Sequence, residues 1–249
     1  MIQCTNVSLQ FGSRVLFDNV NLKFTRGNCY GVIGANGAGK STFLKLLSGE
    51  LEPNKGEVFV DKNERMSVLA QNQNAYDSCT VLDTVMWGHK RLMEVKSERE
   101  RLYAKPDFTD ADGVAAAELE GEFADMNGYE AESDAETLLN NLKVDSSLFY
   151  ELMGGIDPKI KVKVLLAQAL FGRPDILVLD EPTNNLDAKS VKWLEDYITN
   201  LDDTTIIIVS HNRHFLNRVC THTCDVDFRQ IRIYVGNYDF WYETSQLAL

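Results

Sequence analysis

Lys40, Ser41 and Thr42 follow three closely spaced glycines, Gly34, Gly37 and Gly39, in the stretch Gly31-Val-Ile-Gly-Ala-Asn-Gly-Ala-Gly-Lys-Ser-Thr42. These residue types at this spacing suit the cradling of a polyphosphate. Glycine removes the side chain where backbone must approach an anion, and tolerates the angles that turn successive N–H groups toward it. Lys40 supplies a point charge to the β- and γ-phosphates, Ser41 offers a hydroxyl to Mg²⁺, and the helix beginning here adds its positive dipole end. Gly34, Asn36, Gly37, Ala38, Gly39, Lys40, Ser41 and Thr42 are therefore the candidate residues for binding a nucleoside triphosphate with its metal.

Further along the chain, other residues suit chemistry on that ligand. The run Ile176-Leu-Val-Leu179 ends in Asp180 and Glu181, which places two carboxylates at the edge where a parallel sheet binds its ligand. Asp180 fits a metal-holding role, and Glu181 can polarise the water that attacks a γ-phosphate. His211 closes a second apolar run, Thr204 to Ser210, where it can touch the γ-phosphate or stand as an ordinary surface histidine. Gln71 follows Val68, Leu69 and Ala70, so its amide can reach the metal or the attacking water, or be a plain loop glutamine. Phe11 stands at a suitable distance before the loop to stack on a purine, or to sit in the core at a strand end.

The elements that must position these residues follow from periodicity. Tyr30, Val32 and Ile33 read as a buried strand, and Phe43, Leu44, Leu46 and Leu47 recur at helical spacing. Residues 2–24 read as two strands joined at Phe11-Gly-Ser-Arg14, with further strands at Glu57 to Val60 and up to Ala70. From Thr80 to Tyr103 the pattern is helical, with Val81, Leu82, Val85 and Met86 forming a face. Pro106, Gly113 and Gly128 mark turns, and a further helix carries Leu138, Leu139 and Leu142. Asp157-Pro158 is a strong helix start, with Val162, Leu165, Leu166, Ala169 and Leu170 facing the core. Ala188 to Leu201 is another helix. Tyr238-Asp-Phe-Trp-Tyr242 opens an aromatic-rich helical segment that reaches Leu249 without a cap, so the polypeptide reads as truncated there. The organisation expected is one domain over residues 1–249, with a helical subdomain inserted at about 76–160 and a linker helix starting at about 238–249.

A chain of 249 residues can bury a large core. No apolar run approaches the ~18 residues a membrane helix needs, and the start, Met1-Ile-Gln-Cys-Thr5, has no signal-peptide pattern. The expectation is a cytoplasmic protein without membrane insertion. A net charge of −12 argues against a general nucleic-acid-binding surface. Most of that excess lies between Asp107 and Leu142, where eleven acidic residues occur with no Lys or Arg and read as a solvated helix face. Five scattered cysteines argue for reduced thiols, and Cys220-Thr-His-Thr-Cys224 reads as buried thiols rather than a zinc site.

With the glycine-rich loop, Gln71, Asp180-Glu181, Asn185-Leu-Asp187 and His211 in this order, the chain resembles an ATP-binding cassette domain over essentially its full length. Within that superfamily it is similar to the ABC-F group. The residues that carry this are Ala167-Gln-Ala-Leu-Phe171, Asp180-Glu-Pro-Thr-Asn-Asn-Leu-Asp187, Ser210-His-Asn-Arg-His-Phe-Leu216 and Tyr234-Val-Gly-Asn-Tyr238. The resemblance implies an α/β fold: a P-loop NTPase core, an ABC-type antiparallel β subdomain and an inserted α-helical subdomain. It implies ATP and Mg²⁺ as ligands, with Ser41, Gln71 and Asp180 at the metal and Glu181, His211 and Gln71 as the catalytic set. Phe11 takes the adenine-stacking role, Gln71 the Q-loop role, Asp187 the D-loop role and His211 the switch role. It further implies a second cassette on the same chain, this being the first, and ATP-gated action on the ribosome as a translation factor or resistance determinant. The other readings are the ATPase subunit of a membrane transporter and a chromosome-maintenance ATPase, though the latter's long coiled coil is absent.

Three departures stand out. The family signature Leu-Ser-Gly-Gly-Glu/Gln, which binds the partner cassette's γ-phosphate, falls on Ile156-Asp-Pro-Lys-Ile160. Asn-Asn-Leu-Asp stands where Asn-His-Leu-Asp is usual for the group, and Asn212 replaces the common Asp after the switch histidine. A signature bearing Asp157 repels phosphate unless Lys159 or Lys161 offsets it.

Overall fold

The computed structural model describes residues 1–227 and 229–247. Alternating apolar residues build the first hairpin. Strand β1 (Ile2–Phe11) pairs antiparallel with β2 (Arg14–Phe24), from Ile2 opposite Phe24 to Phe11 opposite Arg14 at the tip. Strand β3 (Cys29–Gly34) is buried on both faces and feeds through the glycine-rich loop into helix α1 (Lys40–Ser48). Strand β4 (Lys55–Val60) returns to the open edge of β1, giving a three-stranded antiparallel sheet in the order β2-β1-β4. β5 (Met66–Val68) then ends this first part of the chain.

The chain forms two compact units, one of residues 1–69 and 173 onward, the other of residues 70–172. In the first unit β6 (Ile176–Asp180), β7 (Thr205–Val209), β8 (His222–Asp227) and β9 (Gln230–Val235) complete a six-stranded sheet. Its order is β5-β6-β7-β3-β8-β9, parallel except for β8 with β9. The apolar runs of β3, β6 and β7 are the signature of parallel strands covered on both faces. Phe17 and Phe24 of the antiparallel sheet pack with Tyr30, Phe43, Leu46 and Leu47 into one core with Val178, Ile207 and Val209. Ring pairs Phe17–Phe43 and Phe24–Tyr30, at 5.9 and 4.8 Å between centroids, meet edge to face. Each such fully buried ring contributes roughly 1.5–3 kcal/mol by burial. This packing holds the antiparallel sheet against the start of α1.

The second unit is helical: α2 (Val81–Met86), α3 (Lys90–Tyr103), α4 (Asp110–Asp125), α5 (Ala131–Asn141) and α6 (Pro158–Leu170), with three short 3₁₀ turns between them. The helical stretch expected from Thr80 to Tyr103 is divided between α2 and α3. Gly88 stands between them, where the carbonyl oxygen of Gln168 in α6 comes so close that a Cβ at residue 88 would lie 2.0 Å from it. Gly113 is likewise not a turn: it lies in the first turn of α4, which starts one residue after Thr109, where the Thr109 and Asp112 side chains bond each other's backbone N–H as a capping box. The acidic run is solvated and partly paired, with Arg91 on Glu122, Arg99 on Glu120 and Lys105 on Asp112. In α6 it is Lys161 that is buried, and Val162 is half-buried.

Helices α7 (Ala188–Thr199), α8 (Arg213–Val219) and α9 (Tyr238–Leu247) belong to the first unit. Residues 248 and 249, the end of the anticipated linker helix, lie outside the described residues. All five cysteines are free thiols. Cys224 is fully buried, which raises its pKa, and His222 meets Thr221 Oγ1 at 2.8 Å. No helix among the described residues is long and apolar enough to cross a membrane.

Candidate functional site

The loop between β3 and α1 needs glycine at both ends. Gly34 has φ 155° and so little space that a Cβ would meet the carbonyl oxygen of Val226 at 2.5 Å. Gly39 caps α1 with φ 100° and no side-chain hydrogen bond, and a Cβ there would press on the Phe17 ring at 3.0 Å. Lys40 folds back over the loop and donates from Nζ to the carbonyl oxygen of Gly34 at 2.8 Å. Ser41 donates from Oγ to Asp180 Oδ2 at 2.8 Å, although 139 residues separate them. β6 lies two strands from β3 in the sheet, and its C-terminal end delivers Asp180 to the start of α1. A hydroxyl and a carboxylate at hydrogen-bond distance form the hard oxygen set that Mg²⁺ takes.

Glu181 leaves β6 in the left-handed region, φ 52°, with its N–H bonded to Val209 of β7 at 2.7 Å. That conformation is uncommon for a residue with a Cβ and turns its carboxylate along the sheet edge. There Oε2 accepts the backbone N–H of His211 at 3.2 Å, and Oε1 meets His211 Nδ1. The other ring nitrogen lies 3.3 Å from Asn36 Oδ1, which sets His211 against the glycine-rich loop. Asp187 caps α7 by accepting the N–H of Ser190 at 2.8 Å. Asn212 caps α8 through Phe215 N–H at 3.0 Å, so the change from Asp preserves the helix start.

A cavity of 380 Å³ opens beside these groups, bounded by Gly34, Lys40, His211, Asp225, Tyr238 and Trp241. Burial raises the pKa of Asp225, Asp227 adds to the rise, and Arg232 opposes it. Phe11 is 53% exposed at the end of β1, so it is not a core residue. The structure thus brings Asn36, Lys40, Ser41, Asp180, Glu181 and His211 together in the sheet-bearing unit. Gln71 and the segment Ile156–Ile160 belong to the helical unit, where Gln71 is exposed. Sequence reasoning missed Arg14, whose Nη2 donates to the Gly37 carbonyl oxygen at 2.9 Å. Its only signal was position, opposite Phe11 across a predicted turn. It also missed that Lys161 is committed within its own unit, to Asp77 at 2.9 Å and Asn74 at 3.2 Å, and is not available to offset Asp157.

A family model described as "ABC transporter" matches residues 17–184. The chain belongs to the ABC transporter family. Cassettes of this family bind ATP with Mg²⁺ and hydrolyse it, and the oxygen pair of Ser41 and Asp180 fits that metal. This cassette is 60% identical over 249 residues to the uncharacterized ABC transporter ATP-binding protein YkpA of Bacillus subtilis strain 168, covering all of this chain and 46% of that one. It is 31% identical over 248 residues to ABC transporter F family member 4 of Arabidopsis thaliana, covering 96% of this chain and 33% of that one. The chain therefore spans half or less of the length of these curated relatives. In fold, it is similar to an ATP-binding subunit of an ABC transporter, with a TM-score of 0.73, 18% identity, and coverage of 99% of this chain and 94% of that one.

Proposed function

We propose that this chain is the first cassette of an ABC-F protein, in which two cassettes close on ATP and act as an ATP-gated clamp on the ribosome, as a translation factor or resistance determinant. The observation that carries the reading is the relationship to a relative named for the F family, together with relatives at least twice as long as this chain. In this reading residues 1–249 are one cassette, with the helical subdomain at about 76–160 inserted and a linker helix starting at about 238. Lys40 and the loop amides of residues 34–42 hold the phosphates, and Phe11 stacks on adenine. Ser41, Asp180 and Gln71 serve the metal. Glu181 takes the proton of the attacking water, and His211 holds that carboxylate while sensing the γ-phosphate. The pairing of Glu181 with His211 and of His211 with Asn36 supports a base held in place by the same group that meets the nucleotide loop. A second reading, the ATPase subunit of a membrane transporter, is favoured by the family model's description and by the similar subunit of known structure.

Glu181→Gln in the full-length protein separates the two readings. The amide fills the same space and cannot accept the proton, so ATP·Mg binding should persist while hydrolysis falls by about 10²–10⁴-fold. With ATP the trapped variant should sediment with ribosomes, and without ATP it should not. Turnover at the parental rate would remove Glu181 as the base. Absence of ribosome association, with recovery in a complex with an integral membrane protein, would return the transporter reading to first place.

A further inference from the structure

Phe11 and Arg14 face each other as the last register pair before the tip of the β1–β2 hairpin. The hairpin is fastened to the glycine-rich loop at two points. At its base the Phe17 ring lies under Gly39 and packs edge-on to Phe43 of α1. At its tip Arg14 crosses to the loop, 23 residues along the chain, and donates to the Gly37 carbonyl oxygen at 2.9 Å. Packing of Phe17 fixes where the hairpin starts from the core. Gln10, one residue before Phe11, is held by Asn54 Oδ1 at 2.8 Å, and among the described residues the hydrogen bond that ties the tip itself to the glycine-rich loop is that of Arg14, opposite Phe11.

We infer that Arg14 is a positioning residue for nucleotide binding: by tying the hairpin tip to the loop, it fixes the separation between the Phe11 ring and the phosphate cradle. This rests on the reading of Phe11 as the adenine surface. A nucleotide is long, and its two ends meet two different elements here. If those elements move independently, binding the second end must order the tip, and that ordering is subtracted from affinity. A tied tip presents base and phosphate surfaces already spaced for each other. An exposed guanidinium–carbonyl bond contributes little to folding, so its effect belongs in ligand affinity rather than stability. Lysine can make the same single bond from a looser stem, so it should replace arginine in part.

The test uses the full-length protein and takes binding at this site as the portion lost in Lys40→Ala. ATP and inorganic triphosphate are titrated against the parent, Phe11→Ala, Arg14→Ala, Arg14→Lys and the double Phe11→Ala/Arg14→Ala variant, with melting temperatures as a check on folding. Arg14→Ala should weaken ATP by about three- to tenfold and leave triphosphate, which has no base, within about a factor of two. Arg14→Lys should recover part of that loss, and the double variant should bind ATP no more weakly than Phe11→Ala alone. If triphosphate weakens as much as ATP, Arg14 acts on the phosphates or the loop and the inference is wrong. Additive losses in the double variant would overturn it too, while leaving the role of Phe11 intact. ATP affinity unchanged in Phe11→Ala would instead sink the stacking reading itself.

Discussion

Two helices of this chain start in places where a cassette needs an anion site, and they start differently. α1 is capped by Gly39, which has no side chain to offer. Among the described residues, no acceptor is bonded to the N–H groups of Lys40, Ser41 and Thr42. α6 is capped by Asp157, whose Oδ1 takes the N–H of Lys159 at 2.8 Å, while the carbonyl oxygen of Asp157 takes those of Ile160 and Lys161. Pro158, at the first helical position, has no N–H at all. The first turn of α6 is therefore satisfied from within and carries a negative charge, where that of α1 is left open beside a lysine. A helix N-terminus attracts an anion only if its own donors are free. The same geometry that makes α6 a well-capped helix makes it a poor phosphate site.

The largest effect on this contrast should come from Lys40→Ala. Its ammonium sits over the open turn, bonded to the Gly34 carbonyl oxygen, whereas Arg14 meets the loop from the hairpin tip at the Gly37 carbonyl oxygen. Loss of a charge-assisted bond to phosphate should weaken ATP·Mg binding by about a hundredfold. The matched change in the other helix, Lys159→Ala, should leave binding at this domain's own loop unaltered. Titration with a fluorescent ATP analogue would measure both, and a merely few-fold loss in Lys40→Ala would remove α1 as the anion site.

The sequence carried the contrast because both helix starts are local. Three glycines before Lys-Ser, and Asp-Pro before an apolar run, are written in consecutive residues whose backbone consequences follow from the residues themselves. Strand ends were legible for the same reason, since Ile176 to Leu179 must stop where Asp180 and Glu181 begin. Contacts across the chain were not legible. Nothing local says that Gly88 lies under the Gln168 carbonyl, that Lys161 turns inward to Asp77, or that Arg14 reaches Gly37. The positive φ of Glu181 was hidden as well, because it is imposed by its bond to Val209 on a neighbouring strand and no glycine marks it.

A middle-sized effect should follow from giving α6 the open turn that α1 has. If the composite sites of the full-length protein are unequal because of Asp157 and Pro158, then Asp157→Ser with Pro158→Gly and Lys159→Gly should raise turnover at the site that receives this segment. Removing the acid and supplying an N–H at position 158, where proline has none, should bring a gain of about three- to tenfold. Lys161 contributes nothing to offset the acid in the parent, since its ammonium is held by Asp77 inside the helical unit. Single-turnover measurements after disabling the other loop lysine would isolate the site. No gain in turnover, with the variant folded, would mean that the closed turn is not what limits it.

The smallest effect concerns stability and asks whether Asp157 is there for the helix. Its side chain is exposed and its one bond among the described residues is to the N–H of Lys159, so burial and ion pairing do not enter. Asp157→Ala should then cost what an N-cap costs, about 1 kcal/mol, and Asp157→Ser, which can accept the same N–H, should cost a few tenths of that at most. For a chain of this size about 1 kcal/mol lowers the melting temperature by about 2–4 °C. Calorimetry on the two variants reads that difference directly. If alanine and serine melted alike at the parental temperature, the carboxylate would not be serving the helix start. The closed turn of α6 would then need a reason other than capping, and the contrast with α1 would rest on Pro158 alone.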